Sequence, residues 1–223
     1  MRNTRLVIFD IAGTIIEDHG EVVSCFRSAL AQNGIEASES ELREWKGASK
    51  QEVIRRFVGE RFSDDQDARA EKAYAAFRHL LEQHYRTNGV VPIEGAEEVF
   101  CWLEGHNIRI ATTTGFYHEV AELILRKSGW LARFDANVSS SDVQHGRPAP
   151  DMIFAAMKAC RVAAASEVVN VGDTPLDLQA GTSAGVQGVV GVLTGAHTRE
   201  RLQREPHTHI LPSVRALPGL LKP

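Results

Sequence analysis

The stretch Leu6–Gly20, LVIFDIAGTIIEDHG, places a carboxylate directly after four consecutive apolar residues. The segment Arg5–Phe9 predicts a short buried strand, because a continuous apolar run suits a strand that is covered on both faces. Asp10 follows at once, and the turn Ala12-Gly13-Thr14 comes two residues later. Such an aspartate either caps a local turn or belongs to a site at the end of the strand. The rest of the chain decides between these two interpretations.

The apolar pattern changes along the 223-residue chain. From Val22 to about Tyr85 the apolar residues follow helical spacing, which predicts a small helical module. Within it, Ser38-x-x-Glu41 predicts a helix start with a capping box, and Ser49 is a second candidate N-cap. Beyond Gly95 strands and helices alternate, which predicts an α/β fold with a parallel sheet covered on both faces. The further predicted strands are Ile108–Thr112, Ala136–Ser139, Val168–Val171, Gly188–Val192 and His209–Leu211. The predicted helices among them are Ala96–Leu103, His118–Lys127, Met152–Cys160, Leu176–Ala184 and a last helix that ends at Leu221.

Polar residues follow four of these strands. In chain order they are Asp10-Ile11-Ala12-Gly13-Thr14, Thr112-Thr113-Thr114-Gly115, Gly146-Arg147-Pro148 and Gly172-Asp173-Thr174-Pro175-Leu176-Asp177. In a parallel sheet the carboxyl ends of the strands face one crevice, where ligands bind. Carboxylates suit Mg²⁺, and a guanidinium with a hydroxyl donor suits phosphoryl oxygens. The sequence therefore predicts a site for a phosphoryl group beside Mg²⁺.

The four motifs, in this order and with a helical insertion after the first, resemble the haloacid dehalogenase (HAD) superfamily of aspartate-nucleophile hydrolases. The resemblance covers essentially the whole chain and implies a Rossmann-like parallel-sheet core of residues 1–16 and 92–223. It also implies that residues 17–91 form a helical cap inserted after the first strand. We refer to residues 17–91 as the cap.

The resemblance also implies roles for individual residues. Asp10 is implied as the nucleophile that takes the phosphoryl group, and Arg147 as the cation that neutralises it. Thr114 and the backbone N–H of Gly115 are implied to bind phosphoryl oxygens, whereas Thr112 and Thr113 are expected to be strand residues and not ligands. The implied Mg²⁺ ligands are the carboxylates of Asp10 and Asp173 and the backbone carbonyl of Ala12, with Asp177 supporting the metal or its waters. For Asp177, a charge that only stabilises a helix N-terminus is an open alternative.

Ala12 is the unusual residue in the first motif. In phosphatases of the superfamily a second aspartate stands there and protonates the leaving group, a contribution of about 10²–10⁴ in rate. Its replacement has three explanations. The protein is not a catalyst, it is a weak one or acts on a good leaving group, or the leaving group is a carbon stabilised in another way.

The third explanation has a precedent, because Asp-x-Ala-Gly-Thr, Thr-Thr-Gly and Gly-Arg-Pro resemble the phosphonatase (phosphonoacetaldehyde hydrolase) branch of the superfamily. That resemblance implies cleavage of a carbon–phosphorus bond through an imine with a cap lysine. Lys50 stands three residues after Gly47, as does the phosphonatase lysine. We therefore predict Lys50 as catalytic and Gly47 as substrate-binding, together with Gly115 and Ala12. A lysine that holds the substrate anion, or a solvated helix lysine, remains an alternative.

Three positions depart from the phosphonatase pattern. By alignment Lys46 stands in place of a methionine, Val53 in place of a histidine and Phe116 in place of a tyrosine. These groups surround the imine lysine in phosphonatases, so the identity of the aldehyde stays open.

Composition narrows the classes of protein and partner. The chain is 43% hydrophobic and 24% charged with a net charge of −4, and no basic block indicates nucleic acid. No apolar run approaches the ~20 residues of a membrane span, and the N-terminus does not resemble a signal peptide. The three cysteines, Cys25, Cys101 and Cys160, are expected to be reduced core thiols.

We therefore expect a cytoplasmic, Mg²⁺-dependent hydrolase that acts on a small phosphorylated or phosphonate compound and forms an aspartyl-phosphate. A homodimer through the cap is compatible with the sequence. Two alternatives remain open. One is a phosphomonoesterase acting on phosphoglycolate or a sugar phosphate. The other is a non-catalytic binding protein on the same frame.

Overall fold

A parallel sheet lies at the centre of the protein. The structure, a computed structural model, describes residues 1–221. Its strands are β1 (Leu6–Phe9), β2 (Arg109–Thr114), β3 (Ala136–Ser139), β4 (Val168–Gly172), β5 (Gly188–Val192) and β6 (His209–Leu211). They pair in the order β3-β2-β1-β4-β5-β6, and every pairing is parallel. The predicted α/β architecture is confirmed.

Helices surround this sheet and fill the chain between β1 and β2. They are α1 (Glu21–Ala31), α2 (Glu39–Glu44), α3 (Lys50–Arg61), α4 (Gln66–Asn88), α5 (Ala96–Gly105), α6 (His118–Lys127), α7 (Asp151–Ala159), α8 (Pro175–Ala184) and α9 (Arg199–Leu202). The helical insertion predicted after the first strand is thus present as α1 to α4. Ser38 begins α2 with the predicted capping box, in which it exchanges hydrogen bonds with Glu41. Ser49 precedes α3 without a side-chain cap.

The two faces of β1 bury different cores. Val7 and Phe9 belong to a cluster that includes α5 and α6, whereas Leu6 and Ile8 pack with residues of α7 and α8. All four side chains are fully buried. Because side chains alternate across a strand, a continuous apolar run covers both faces of the sheet. This burial makes β1 a rigid support for the residue that follows it.

The cap helices have an aromatic core of their own. The rings of Phe26 on α1 and Phe77 on α4 stack with centroids 4.3 Å apart, and both side chains are buried. Helix α4 also packs on α3 and on α6. The start of α3 is thereby held next to the carboxyl end of the sheet.

Three details differ from the predictions. The predicted last helix is a 3₁₀ helix over Val214–Leu220, which contains Pro218, a residue without the N–H that an α-helical ladder needs. Cys25 and Cys160 are buried thiols as expected, but Cys101 lies exposed on α5, so its assignment to the core is wrong. The short helix α9 was not predicted. Among residues 1–221, none of the helices is both long and apolar enough to cross a bilayer.

Candidate active site

Asp10 lies at the carboxyl end of β1, between β2 and β4. Its N–H donates to the carbonyl of Val171 at 2.8 Å, so the sheet ladder continues one residue past β1. The side chain is buried, with 6% of the residue exposed, and Oδ1 accepts from Nη1 of Arg147 at 2.7 Å. Burial raises the pKa of Asp10 to about 6, although the guanidinium of Arg147 opposes the change. The carboxylate is thus fixed at the edge where strand ends converge.

Arg147 is the buried cation that faces Asp10. Its Nη2 donates to the carbonyl oxygen of Thr113 at 2.7 Å and to the Thr113 hydroxyl at 2.9 Å. Its Nη1 also lies 2.8 Å from Oδ1 of Asp177. Burial works against the charge, but the two carboxylates keep the pKa of Arg147 above its ordinary value. Thr113 was predicted only as a strand residue, and it also orients this guanidinium.

Asp173 follows β4 and is held by the loop after β5. Its Oδ2 accepts from the N–H of Ala196 at 2.9 Å, and Oδ1 lies 3.4 Å from the Thr14 hydroxyl. A Cβ on Gly195 would stand 1.9 Å from Oδ2, and a Cβ on Gly13 would stand 2.7 Å from it. Both glycines therefore allow backbone to approach this carboxylate closely.

Asp177 lies in the first turn of α8 and its two oxygens have different partners. Oδ2 accepts from the hydroxyl of Thr174 at 2.6 Å and from its N–H at 3.0 Å, which completes a capping box. Oδ1 forms an ion pair with Nη1 of Arg147 at 2.8 Å, but the two groups are too poorly aligned for a hydrogen bond. The side chain thus stabilises the helix N-terminus and also presents a buried, unbonded oxygen to the site.

The three aspartates fit a divalent cation. One carboxylate oxygen each from Asp10, Asp173 and Asp177 lie within 4.8 Å of one another, and all three residues are buried. Burial, with the charges of the other two carboxylates, raises the pKa of Asp173 well above its usual range. Buried carboxylates without enough countercharge are costly, and hard oxygen ligands are those that Mg²⁺ prefers. Mg²⁺ would relieve this repulsion, and the residues present suit it.

A loop of the cap presses on the end of β2. A Cβ on Gly115 would stand 2.5 Å from the carbonyl oxygens of both Gly47 and Ala48. Gly47 has a φ of +86°, and a Cβ there would meet the Thr174 hydroxyl at 2.6 Å. Thr114, next to Gly115, is buried, and its hydroxyl accepts from the N–H of Phe116 at 3.2 Å. Close contact between cap and sheet therefore depends on glycine on both sides.

Lys50 is the first residue of α3, and its side chain lines the same cavity as Asp10 and Gly115. Only 6% of the residue is exposed, and Nζ donates to the carbonyl of Ala48 at 3.1 Å. Nζ also lies 5.1 Å from the centre of the Phe116 ring. Burial lowers the pKa of Lys50 to about 8, against the attraction of Asp10. A solvated helix lysine is thereby excluded.

A small cavity joins most of the predicted residues. Its volume is about 30 Å³, and among its lining residues are Asp10, Ala12, Gly47, Lys50, Thr114, Gly115 and Asp173. Arg147 and Asp177 lie behind it, in contact with Asp10 or with each other. That space has room for only a few water molecules. The cap loop at Gly47 and Ala48 lies over this part of the site. A larger hollow of about 350 Å³ between residues 16–25 and 84–91 contains none of the predicted site residues.

The sequence did not indicate every group around the cavity. Thr113, the Gly195–Ala196 turn and the ion pair between Lys46 and Asp18 all contact or line the site. The Leu193-Thr194-Gly195-Ala196 segment directly follows a strand, and that position was an available signal. The pairing of Asp18 with Lys46 depends on how the cap packs, so spacing alone does not reveal it.

Comparison of the sequence with known proteins identifies its relatives. Residues 7–191 match the family model of haloacid dehalogenase-like hydrolases. The phosphonoacetaldehyde hydrolase of Latilactobacillus sakei is 34% identical over 199 residues, which cover 83% of this chain and 74% of that protein. The phosphonoacetaldehyde hydrolase of Lactiplantibacillus plantarum is 29% identical over 256 residues and covers 97% and 95%.

Solved structures share the fold. A phosphonoacetaldehyde hydrolase-like protein from Oleispira antarctica superposes with a TM-score of 0.79 at 24% identity, covering 98% of this chain and 91% of that one. A predicted phosphoglycolate phosphatase from Haemophilus somnus gives a TM-score of 0.83 at 18% identity, covering 98% of both chains. At these identities the likeness establishes the fold alone. With the family model and the 34% identical relative, it follows that the chain belongs to the haloacid dehalogenase-like hydrolase family and is a hydrolase.

Proposed function

We propose that the protein is a Mg²⁺-dependent hydrolase that cleaves the carbon–phosphorus bond of a small phosphonate such as phosphonoacetaldehyde. Asp10 is the nucleophile, and Lys50 forms an imine with the substrate aldehyde. The observation that carries the proposal is the buried Lys50 amine in one cavity with the Asp10 carboxylate. An amine with a pKa of about 8 is partly neutral near physiological pH, as a nucleophile must be. The relatives named phosphonoacetaldehyde hydrolase support the substrate class.

The phosphonate is held at the strand ends. Arg147 neutralises its oxygens, and the hydroxyl of Thr114 and the N–H of Gly115 donate to them. Asp10, Asp173, Asp177 and the carbonyl of Ala12 would hold Mg²⁺. When bound, the metal supplies positive charge beside the oxygens that gain charge in the transition state.

Lys50 makes the carbon a good leaving group. Its neutral amine adds to the aldehyde carbon, loss of water leaves a neutral imine, and the imine nitrogen then takes up a proton from water. Asp10 then attacks phosphorus, and the electron pair of the breaking carbon–phosphorus bond moves into the imine to give an enamine. The leaving carbon takes no proton in this step, so no acid is needed at Ala12. Water later hydrolyses the aspartyl-phosphate, and the enamine returns to amine and aldehyde.

The helical segment 17–91 acts as the cap in this scheme. Its loop at Gly47 and Ala48 covers Gly115, and the space beneath holds about 30 Å³. Opening of the cap admits the substrate, and closure excludes water from the imine and from the charged groups. A dry site strengthens each electrostatic contact.

Reductive trapping tests the proposal. The protein is incubated with Mg²⁺, phosphonoacetaldehyde and borohydride, and the adduct is mapped by mass spectrometry. We expect a reduced adduct on Lys50, its loss in Lys50→Ala, and its retention in Lys72→Ala, a change at an exposed cap lysine. Full phosphonate cleavage by Lys50→Ala, or active enzyme without an adduct, would refute the imine.

A further inference from the structure

A second lysine reaches the cavity without a place in the proposed mechanism. Nζ of Lys46 lies 2.6 Å from Oδ2 of Asp18, and both residues line the cavity that contains Asp10 and Lys50. The Lys46 side chain is 14% exposed and the Asp18 side chain 7%. An ion pair so deeply buried gains little net stability, since desolvation offsets its attraction. Because the ion pair adds little stability and lines this cavity, its charged groups are candidates for contact with the substrate.

The hydrogen bonds of the pair are unequal. Asp18 has a partner on each oxygen, because Oδ1 accepts from the N–H of Gly20 at 2.8 Å. Burial raises the pKa of Asp18, but the charge and hydrogen bond of Lys46, with the Gly20 N–H and the charge of Lys50, together hold the pKa below its usual range. An ammonium has three donors. Within residues 1–221 Asp18 is the one acceptor bonded to Nζ of Lys46. Two donors thus remain for a ligand in the cavity.

The other lining groups leave Lys46 as the donor for the organic end of a substrate. Phe116 and Val22 are apolar, and the Thr174 hydroxyl is already bonded to Asp177. The Thr114 hydroxyl and Arg147 belong to the phosphoryl end in the proposed function. Of the lining side chains in the described part of the chain, Lys46 and Lys50 combine free donors with a position outside the phosphoryl site, and Lys50 is the residue that forms the imine.

The net charge around the cavity indicates what kind of acceptor binds to Lys46. Around the cavity, four carboxylates (those of Asp10, Asp18, Asp173 and Asp177) face three cations (Lys46, Lys50 and Arg147). One negative charge is left over, or two while the Lys50 amine is neutral, and a divalent metal with a phosphonate dianion does not change that excess. A further carboxylate on the substrate would add to the excess in a buried space, which is costly. An uncharged oxygen adds no such cost.

We propose that Lys46, positioned by Asp18, is the specificity-determining residue that donates to an uncharged carbonyl oxygen of the substrate. The inference rests on the proposed function and assigns the organic end of the same site. A carbonyl oxygen held by an ammonium is polarised, so the amine of Lys50 adds to its carbon more readily. A substrate without that oxygen leaves the donors of Lys46 buried and unbonded, which selects against it.

The test measures binding in a protein that forms no imine. In Lys50→Met with Mg²⁺, calorimetry compares 2-oxopropylphosphonate with propylphosphonate, which lacks the carbonyl. We expect the carbonyl compound to bind about 10- to 100-fold more tightly, as for a hydrogen bond from a charged donor. Adding Lys46→Met should reduce the ratio to about one, and Lys46→Gln, which keeps an uncharged donor, should give an intermediate ratio. Lys72→Met is the matched control.

Two further measurements separate specificity from folding. Lys46→Met leaves Asp18 buried without its cation, so the double variant Lys46→Met with Asp18→Asn restores neutrality and should fold. Inorganic phosphate should bind this variant about as tightly as its parent, because phosphate lacks an organic end. An unchanged carbonyl preference without Lys46, or no preference or no binding in its presence, would overturn the inference. The proposed function is tested separately: it is refuted if the wild-type protein neither cleaves phosphonoacetaldehyde nor forms a Lys50 adduct.

Discussion

Replacing Lys50 with methionine should stabilise the metal-free protein at neutral pH, and the gain should shrink at high pH. Lys50 is 6% exposed, and burial lowers its pKa from 10.5 to about 8. The unfolded chain keeps this proton up to about pH 10.5, whereas the folded protein releases it near pH 8. The unfolded state therefore binds more protons between these values, and the free energy of unfolding of the wild type rises with pH across that interval.

The magnitude follows from the same two values. A pKa lowered by this amount corresponds to about 3 kcal/mol in the free energy of unfolding. The charged form of Lys50 destabilises the folded protein by that amount. Methionine has a similar length and no charge, so Lys50→Met should be more stable than wild type by about 3 kcal/mol at pH 7. By pH 10 the advantage should fall below about 1 kcal/mol, because the folded wild type then holds a neutral amine.

Urea unfolding with a metal chelator, at several pH values from 6 to 10, measures the difference between the two proteins. Groups far from Lys50 titrate alike in both proteins and cancel in the comparison, whereas Asp10 and Asp18 lose the attraction of the Lys50 charge, which offsets part of the gain. Lys72→Met, at an exposed position of α4, should differ from wild type by less than about 0.5 kcal/mol at every pH. If Lys50→Met is less stable than wild type at pH 7, or if its advantage does not change with pH, Lys50 is not the buried amine that imine formation requires.

Four other changes test the rest of the site. Asp10→Asn should lower phosphonate cleavage by at least about 10³-fold and abolish the phosphorylated aspartate in quenched samples, and cleavage at the wild-type rate would rule out the nucleophile. Ala12→Asp should raise hydrolysis of phosphate monoesters by about 10²-fold without faster carbon–phosphorus cleavage, and equal gains on both would contradict the imine as electron sink. Gly115→Ala, whose Cβ would stand 2.5 Å from two cap carbonyls, should lower kcat/KM by about 10²-fold, whereas Gly105→Ala, in open space, should not. Mg²⁺ at 100 times its Kd should raise the free energy of unfolding by about 2.7 kcal/mol, and Asp173→Asn should remove most of this gain, which thermal unfolding with and without the metal measures.

Prediction from the sequence succeeded where the signal is local. The strand before Asp10 is identified by four adjacent apolar residues, and the capping box at Ser38 by a Ser-x-x-Glu spacing. Both depend on residues a few positions apart, so tertiary packing does not override them. The end of the chain shows the limit, because the segment around Pro218 has helical spacing but forms a 3₁₀ helix. The ring of a proline inside a helix crowds the carbonyl four residues earlier and disfavours the α-helical form, and periodicity does not register it.

Contacts between residues far apart in the sequence were harder to predict. Thr113 was predicted as a strand residue, and it is one, yet its carbonyl and hydroxyl also hold Arg147 from 34 positions away. Asp177 had two competing interpretations. Its Oδ2 completes the capping box of α8, whereas its Oδ1 faces Arg147, and its support of the metal stays a prediction. Spacing along a strand or helix tells which face a side chain takes. It does not tell which distant cation lies opposite.

The sequence by itself determined the order of the elements and the types of group at the strand ends, because periodicity and strand-end residues are properties of neighbouring positions. Only the tertiary structure decided that Lys50 is buried beside Asp10 and that Lys46 pairs with Asp18. The cap loop that precedes Lys50 docks on Gly115, where carbonyl groups approach a residue that has no side chain. Burial then lowers the pKa of Lys50, and burial is a property of the packed chain, which local sequence does not contain.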